Sequence, residues 1–127
     1  MIELKNISFR HENADVPSLK NVSLTIADGE CVLLCGESGS GKTTITRLIN
    51  GLIPHFYEGE LEGVAMVNGL NVTEAELYET AKLVGSVFQN PRSQFFCVDT
   101  TSELAFGCEN MGMPENEVLA RVDAASA

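Results

Sequence analysis

The chain has 127 residues, of which 44% are hydrophobic and 20% are charged, proportions that indicate one globular domain rather than a disordered segment. It carries 8 basic and 18 acidic residues, a formal net charge of −10, and such a chain repels nucleic acid at long range. No apolar run approaches the ~18 residues that a membrane span needs, so we expect no transmembrane helix.

The first two predicted elements are strands. Residues 2–9 alternate apolar and polar side chains until the phase slips at Lys5 and Asn6, which indicates a β-bulge. After a polar loop over residues 11–18, apolar and polar residues alternate again over residues 22–26, as in a strand with one buried face. Both strands are therefore expected to contribute one face to a core.

A turn is predicted at Asp28 and Gly29, a strong hairpin signal, so residues 20–35 are expected to pair as a hairpin. Its second arm, residues 31–35, is apolar at every position, which is typical of a central strand covered on both faces. The cysteines lack the spacing of a metal finger, and we expect them to be small buried residues in a reducing cytoplasm. They are Cys31, Cys35, Cys97 and Cys108.

A glycine-rich segment follows the predicted central strand and matches the P-loop pattern G-x-x-x-x-G-K-[ST]. Gly36 and Gly41 are its first and last glycines, and Lys42 and Thr43 follow them. Apolar residues then recur at helical spacing over residues 45–52, which predicts an amphipathic helix with one buried stripe. The motif therefore stands between a strand and a helix, which is the context that a phosphate-binding loop requires.

Each part of the motif has a physical role in binding a nucleoside triphosphate with Mg²⁺. Glycines let the backbone curl so that its N–H groups point into one concavity, and the helix N-terminus adds partial positive charge. The Lys42 ammonium can reach the β- and γ-phosphates, and the Thr43 hydroxyl can ligate Mg²⁺. The predicted phosphate-binding residues are Gly36, Glu37, Ser38, Gly39, Ser40, Gly41, Lys42, Thr43 and Thr44.

Two strands and a short helix are predicted after the loop and its helix. Residues 61–68 form the first strand, and the spacing of Thr73 and Glu76 predicts a capping box for the helix. The apolar residues 83–88 predict a second, buried strand. Gln89 follows that strand, where a side chain can reach the γ-phosphate edge of a site, although a glutamine at a strand end is usually a polar loop residue.

Two interpretations of Asp99 are open from the residues alone. The apolar run 95–99 ends in this aspartate, as does a Walker B strand whose Asp holds Mg²⁺. The other interpretation is that Asp99 or Thr100 caps a helix, and we favour it because Thr100 and Glu103 have capping-box spacing. Pro114 then suits the first turn of a final helix.

Five segments resemble one family. Gly36–Thr44 and Arg47–Leu52 resemble the start of an ABC transporter ATPase. Three others are similar to the ATPase subunits of energy-coupling factor transporters, the vitamin and cobalt/nickel importers of prokaryotes: Gly51–Phe56, Phe88–Phe95, and Asp99–Phe106 with Glu109–Asn110. The resemblance covers residues 2 to about 123 and implies an α/β P-loop fold of the ABC ATPase type with an antiparallel β subdomain.

The resemblance also implies roles for residues and partners. Gln89 is implied to be the Q-loop glutamine, which touches Mg²⁺ and the attacking water, and Lys42 and Gln89 are the implied catalytic residues. Residues 90–106 are implied to receive coupling helices of a transmembrane subunit, and a second ABC ATPase domain completes a homo- or heterodimer at the cytoplasmic face of the membrane. His11 stands where the family places an adenine-stacking aromatic residue; the alternative is a solvated loop histidine.

The sequence departs from that family after residue 110, where no L-S-G-G-Q signature, no Asp-Glu pair ending a strand and no switch histidine follow. Residues 1–127 are therefore expected to be the N-terminal half of a nucleotide-binding domain, truncated before the signature motif and Walker B. We expect such a half to bind Mg-ATP without efficient hydrolysis. The alternatives are a complete small P-loop kinase or NTPase that uses Asp99 as Mg²⁺ ligand, and a non-catalytic P-loop relic that acts as an interaction module.

Overall fold

The computed structural model describes all 127 residues, which form two compact units, Met1–Ser86 and Val87–Ala127. The elements of the first unit are β1 (Ile2–His11), β2 (Leu19–Ile26), α1 (Lys42–Ile49), α2 (Leu52–His55), β3 (Gly59–Val67), β4 (Leu70–Asn71) and α3 (Leu77–Ala81). Those of the second are a 3₁₀ turn (Pro91–Gln94), α4 (Thr100–Asn110) and α5 (Glu115–Ser126). None of these helices combines the length and apolar character that a bilayer crossing demands.

One antiparallel sheet organises the first unit, with strand order β2-β1-β3-β4. Because apolar and polar residues alternate along the strands, one face of the sheet is apolar. That face packs against α1 and forms a common core. The fully buried side chain of Leu48 is the contribution of α1. The buried core residues are Leu4, Ile7, Phe9, Leu19, Leu48, Ile53, Ala65, Val67 and Val72.

The β-bulge predicted at Lys5 and Asn6 is confirmed. The pairing of β1 with β2 shifts register between Leu4 and Ile7, and Asn6 adopts a left-handed backbone with φ of 52°. The shift puts Leu4 and Ile7 on the same face although they are three residues apart, and both are buried. Gly63 of β3, with φ of 93°, lies so close that a Cβ there would be 2.5 Å from the carbonyl oxygens of both Lys5 and Asn6.

Gly63→Ala is expected to lower the free energy of unfolding by about 2–3 kcal/mol, because positive φ and contact with rigid backbone add together. Gly69→Ala is the matched control, since Gly69 has φ of 83° and nothing within 4 Å of its would-be Cβ. That control should lose only about 1 kcal/mol. Urea denaturation of both variants checks this, and equal losses would contradict a close approach at Gly63.

Two predicted strands are wrong. Residues 31–35 and 83–88 pair with no strand, and the side chains of Leu33 and Val87 are 84% and 87% exposed. The turn at Gly29 forms, with φ of 76° and the Glu30 N–H donating to the Ala27 carbonyl at 3.1 Å, but the hairpin does not. A central strand is stabilised by hydrogen-bonded neighbours and by layers over both faces, and the four-stranded sheet provides neither to these segments.

The cysteines correct a further expectation. Those in the 31–35 segment are both exposed, and the other two are half-buried, so none is the fully buried residue that composition predicted. For Cys31 and Cys35 the reason is the same, because an apolar segment without strand neighbours stays at the surface. All four are free thiols.

Glycine and capping residues set the helix ends, but the capping residue of α3 differs from the predicted one. Gly51, with φ of 80°, follows α1 as expected of a residue that ends a helix. The capping box predicted at Thr73 is wrong, since Glu76 caps α3 and its backbone N–H donates to the Glu79 carboxylate at 3.1 Å. The Thr73 hydroxyl instead donates to the Asn71 side chain at 2.7 Å, because an asparagine two residues earlier competes for it.

Candidate functional site

The glycine-rich loop leads directly into the N-terminus of α1, as predicted. Gly41 precedes the helix with φ of 94°, and a Cβ there would lie 2.8 Å from the Ser18 carbonyl oxygen and 2.9 Å from Leu19 Cδ2. Only glycine fits this position, because both the backbone conformation and the space exclude a side chain. No side chain caps α1 and its first turn has no acidic residue, so its N-terminal N–H groups remain for an anion.

A cavity of about 250 Å³ opens at this helix N-terminus. Ser18 belongs to its lining, although the sequence showed it only as part of a polar loop. Its backbone N–H donates to the Phe9 carbonyl at 2.8 Å, which holds the segment before β2 against β1 and against the loop. No motif marks this serine, so only the tertiary approach to Gly41 identifies it. The lining residues are Ser18, Ser38, Gly39, Gly41, Lys42, Thr43 and Thr44.

The Lys42 ammonium is hydrogen-bonded to the loop that precedes it. Its Nζ donates to the carbonyl oxygens of Gly36 and Glu37, both at 2.6 Å, and to Ser40 Oγ at 3.1 Å. The positive charge is therefore concentrated at the cavity despite the acidic character of the whole chain. Phosphate oxygens, which carry negative charge, are stronger acceptors for this ammonium than neutral carbonyls.

The two threonines of the loop differ in burial. Thr44 is buried, whereas Thr43 is exposed on the first turn of α1 and lines the cavity. A hydroxyl oxygen at this place beside a lysine is the donor set that suits Mg²⁺ bound to a phosphate chain, because this hard cation prefers oxygen ligands. The residues present therefore fit a triphosphate with Mg²⁺.

His11, the predicted base-facing residue, ends β1 in the same unit as the loop. Its ring is half-buried and lies 4.8 Å from the Phe9 ring and 6.5 Å from the Tyr57 ring, with T-shaped geometry to both. It lines a second cavity, of about 500 Å³. The loop of residues 12–18 runs from this cavity to Ser18 at the first one, so one short segment borders both.

Gln89 lies in the second unit, and the strand predicted to precede it does not form. It is exposed and stands between an irregular segment and the 3₁₀ turn, Pro91–Gln94. The structure therefore groups the loop residues and His11 in one unit, while the Mg²⁺ role of Gln89 stays a prediction.

Asp99 caps α4, the interpretation favoured from its sequence. Its carboxylate accepts from the Ser102 backbone N–H and hydroxyl, both at 2.8 Å, and no strand precedes it, so the Walker B strand is wrong. These Ser102 hydrogen bonds hold the pKa of Asp99 below its usual value. The predicted box with Thr100 does not form, because the Glu103 carboxylate accepts from the backbone N–H groups of Phe96 and Cys97.

Asp99→Ala is expected to reduce the helical content of the second unit at neutral pH. Because the folded pKa of Asp99 is lowered, its stabilisation is fully present above the unfolded pKa of about 3.9 and is lost as the pH falls through the folded pKa. Asp99→Asn should keep the cap but remove this pH dependence. Circular dichroism between pH 7 and about pH 2 checks both variants, and an acid transition unchanged in Asp99→Asn would contradict the assignment.

The family described as ABC transporter matches residues 19–125, a span that includes the loop, the cavity-lining threonines and Asp99. The chain belongs to the ABC transporter family. An ABC transporter ATP-binding protein of Treponema denticola is 55% identical over 123 residues, which are 97% of this chain and 25% of that protein. The energy-coupling factor transporter ATP-binding protein EcfA1 of Ligilactobacillus salivarius is 41% identical over 96% of this chain and 42% of its own length.

Solved structures show the same ABC ATPase fold. CbiO1 of Clostridium perfringens, part of the ABC transporter complex cbiONQ, superposes with a TM-score of 0.81 at 25% identity, over 98% of this chain and 48% of that one. The ATP-binding cassette MJ0796, in a dimeric post-hydrolysis state with ADP and Pi, gives 0.69 at 26% identity, over 96% and 54%. This ABC transporter chain thus spans about half of the solved cassettes and a quarter to under half of these curated relatives.

Proposed function

We propose that this chain is the nucleotide-binding part of an ATPase subunit that energises a prokaryotic importer of the energy-coupling factor type. The observation that carries the proposal is the Lys42 ammonium, held within the Gly36–Thr44 loop at the uncapped N-terminus of α1. A concentrated positive charge beside unpaired N–H groups binds polyphosphate. The similarity to EcfA1 and to CbiO1 supports the importer class.

The proposed roles of the residues follow the motif. The loop backbone and Lys42 hold the phosphates, Thr43 and Gln89 ligate Mg²⁺, and His11 faces the base. When bound, Mg²⁺ neutralises charge on the β- and γ-phosphate oxygens. Lys42 contributes to the same electrostatic stabilisation, which accounts for most of the catalysis in P-loop enzymes.

The proposed partners are a second ABC ATPase domain and a transmembrane subunit, at the cytoplasmic face of the membrane. The subunit is proposed to dock near residues 90–106, and exposed apolar side chains there support this. Phe95, Phe96 and Val98 are all more than 60% exposed, and Phe96 stacks on Phe106 with ring centroids 5.4 Å apart. The dimeric state of MJ0796 and the membership of CbiO1 in a cbiONQ complex support both partners.

We also propose that these 127 residues bind Mg-ATP but hydrolyse it inefficiently. No Asp-Glu pair and no L-S-G-G-Q signature occur in them, and Asp99, the alternative Mg²⁺ ligand, is engaged as a helix cap. An enzyme that works by positioning and charge stabilisation loses rate when half of its positioned groups are missing.

Calorimetric titration with Mg-ATP and with Mg-tripolyphosphate, followed by a phosphate-release assay on the same samples, tests the proposal. Binding of both ligands with little phosphate release is the expected result. No binding of either ligand would overturn the phosphate site. Sustained release that is abolished by Asp99→Ala would overturn the incomplete-domain proposal in favour of a small P-loop NTPase.

A further inference from the structure

The cavity beside His11 is walled by aromatic residues from two separate parts of the chain. His11 ends β1, whereas Phe56 and Tyr57 belong to the segment between α2 and β3. The Glu12 backbone N–H donates to the Glu58 carbonyl at 3.2 Å, which extends the pairing of β1 with β3 beyond His11 and holds the two walls together. The Phe56 side chain is 68% exposed, so its ring is accessible to a ligand at this cavity.

A contact with Arg47 orients the Tyr57 ring at this cavity. The Arg47 guanidinium lies 4.0 Å from its ring centroid, a cation–π contact that occupies one face. Arg47 is on α1, five residues after Lys42. One short helix therefore presents the phosphate-binding lysine at its first residue and positions the Tyr57 ring near its end.

The chemistry of this cavity excludes a second phosphate and suits a flat, uncharged ring. Its charged lining residues are the carboxylates of Glu12 and Glu58, and it has no lysine or arginine. Carboxylates repel phosphate, while exposed aromatic faces stack on nucleobases of any type. The loop of residues 12–18 borders both cavities, with Ala14 lining this one and Ser18 lining the phosphate cavity.

We propose that Tyr57, positioned by Arg47, is a base-contacting residue that stacks on the nucleobase of the bound nucleoside triphosphate beside His11. The inference rests on the proposed nucleotide function of the loop, and it names a residue that no P-loop motif contains. It also gives His11 a partner, since an imidazole ring offers a smaller stacking surface than the phenol ring of tyrosine.

The test compares Mg-ATP with Mg-tripolyphosphate, which has the phosphates but no base. Tyr57→Leu should bind Mg-ATP about tenfold more weakly, ~1.4 kcal/mol, and tripolyphosphate as tightly as the unmodified chain does. Tyr57→Phe, which keeps the ring, should retain Mg-ATP affinity. Tyr78→Leu is the matched control, because Tyr78 is the other tyrosine of the chain and is exposed on α3.

The outcomes separate this inference from the proposed function. Unchanged affinity of Tyr57→Leu for both ligands would overturn the base contact and leave the phosphate site intact. If Tyr57→Leu lost affinity equally for both ligands, Tyr57 would have a structural role only, and the base contact would be overturned. If Tyr78→Leu lost as much Mg-ATP affinity as Tyr57→Leu, the effect would not be specific to Tyr57, and the base contact would again be overturned. Failure of the unmodified chain to bind tripolyphosphate would overturn the proposed function, and the inference with it.

Discussion

Lys42→Ala is expected to weaken Mg-ATP binding by roughly 30- to 100-fold, ~2–3 kcal/mol. The variant removes the ammonium that now donates to Gly36, Glu37 and Ser40, and with it the charge-assisted hydrogen bonds to phosphate. The folded state should change little, because the acceptors that lose this donor are in an exposed loop where water replaces it. Titration calorimetry with Mg-ATP measures the affinity, and thermal unfolding without ligand measures the stability of the folded state.

Lys20→Ala is the control for the loss of a positive charge. Lys20 is exposed on β2 and lines neither cavity, so this variant should keep the affinity of the unmodified chain. In thermal unfolding, ligand at 100 times its dissociation constant should add ~2.7 kcal/mol to the unmodified chain and to Lys20→Ala. Equal weakening in the two variants would mean that net charge, not the loop, attracts the nucleotide.

Leu48→Ala is expected to lower the free energy of unfolding by about 3 kcal/mol, within the range for a buried leucine truncated to alanine. Leu48 is completely buried on α1, against the sheet. The substitution removes apolar contact and leaves a cavity, and the surrounding strands can close it only in part. Because α1 carries Lys42 at its start, Mg-ATP affinity measured on the folded fraction shows whether the helix keeps its position.

Leu33→Ala makes the same chemical change at an exposed position. The Leu33 side chain is 84% exposed, so the loss should stay within about 0.5 kcal/mol. Urea denaturation of the two leucine variants compares them directly. A loss at Leu33 as large as that at Leu48 would mean that residues 31–35 are packed as the buried strand that their composition favours.

Several features that depend on a few neighbouring residues were predicted correctly from the sequence, although the capping boxes at Thr73 and Thr100 were not. The phase slip at Lys5 and Asn6 located the bulge, and Asp99 was correctly favoured as a helix cap. The spacing of residues 45–52 located α1, although that helix ends at Ile49. The conformation of the glycine-rich loop, residues 36–44, belongs to the same group, because glycine conformations and a helix N-terminus within nine residues are sufficient to build it. Such features are encoded in backbone preferences and short-range hydrogen bonds.

Features that need a distant partner were not predictable in this way. Residues 31–35 have the composition of a central strand, yet composition does not supply the neighbouring strands that would pair with it. Ser18 lines the cavity at the N-terminus of α1, and the His11 ring contacts the Tyr57 ring. Both contacts join residues far apart in sequence, so they depend on the tertiary fold.

The sequence by itself determined the glycine-rich loop, its helix and the antiparallel strands around a bulge. The tertiary structure alone decided which apolar segments are buried and which side chains border the loop. The physical reason is that hydrogen-bonded ladders and apolar burial are properties of pairs of segments, whereas turns, caps and helical stripes are properties of one segment.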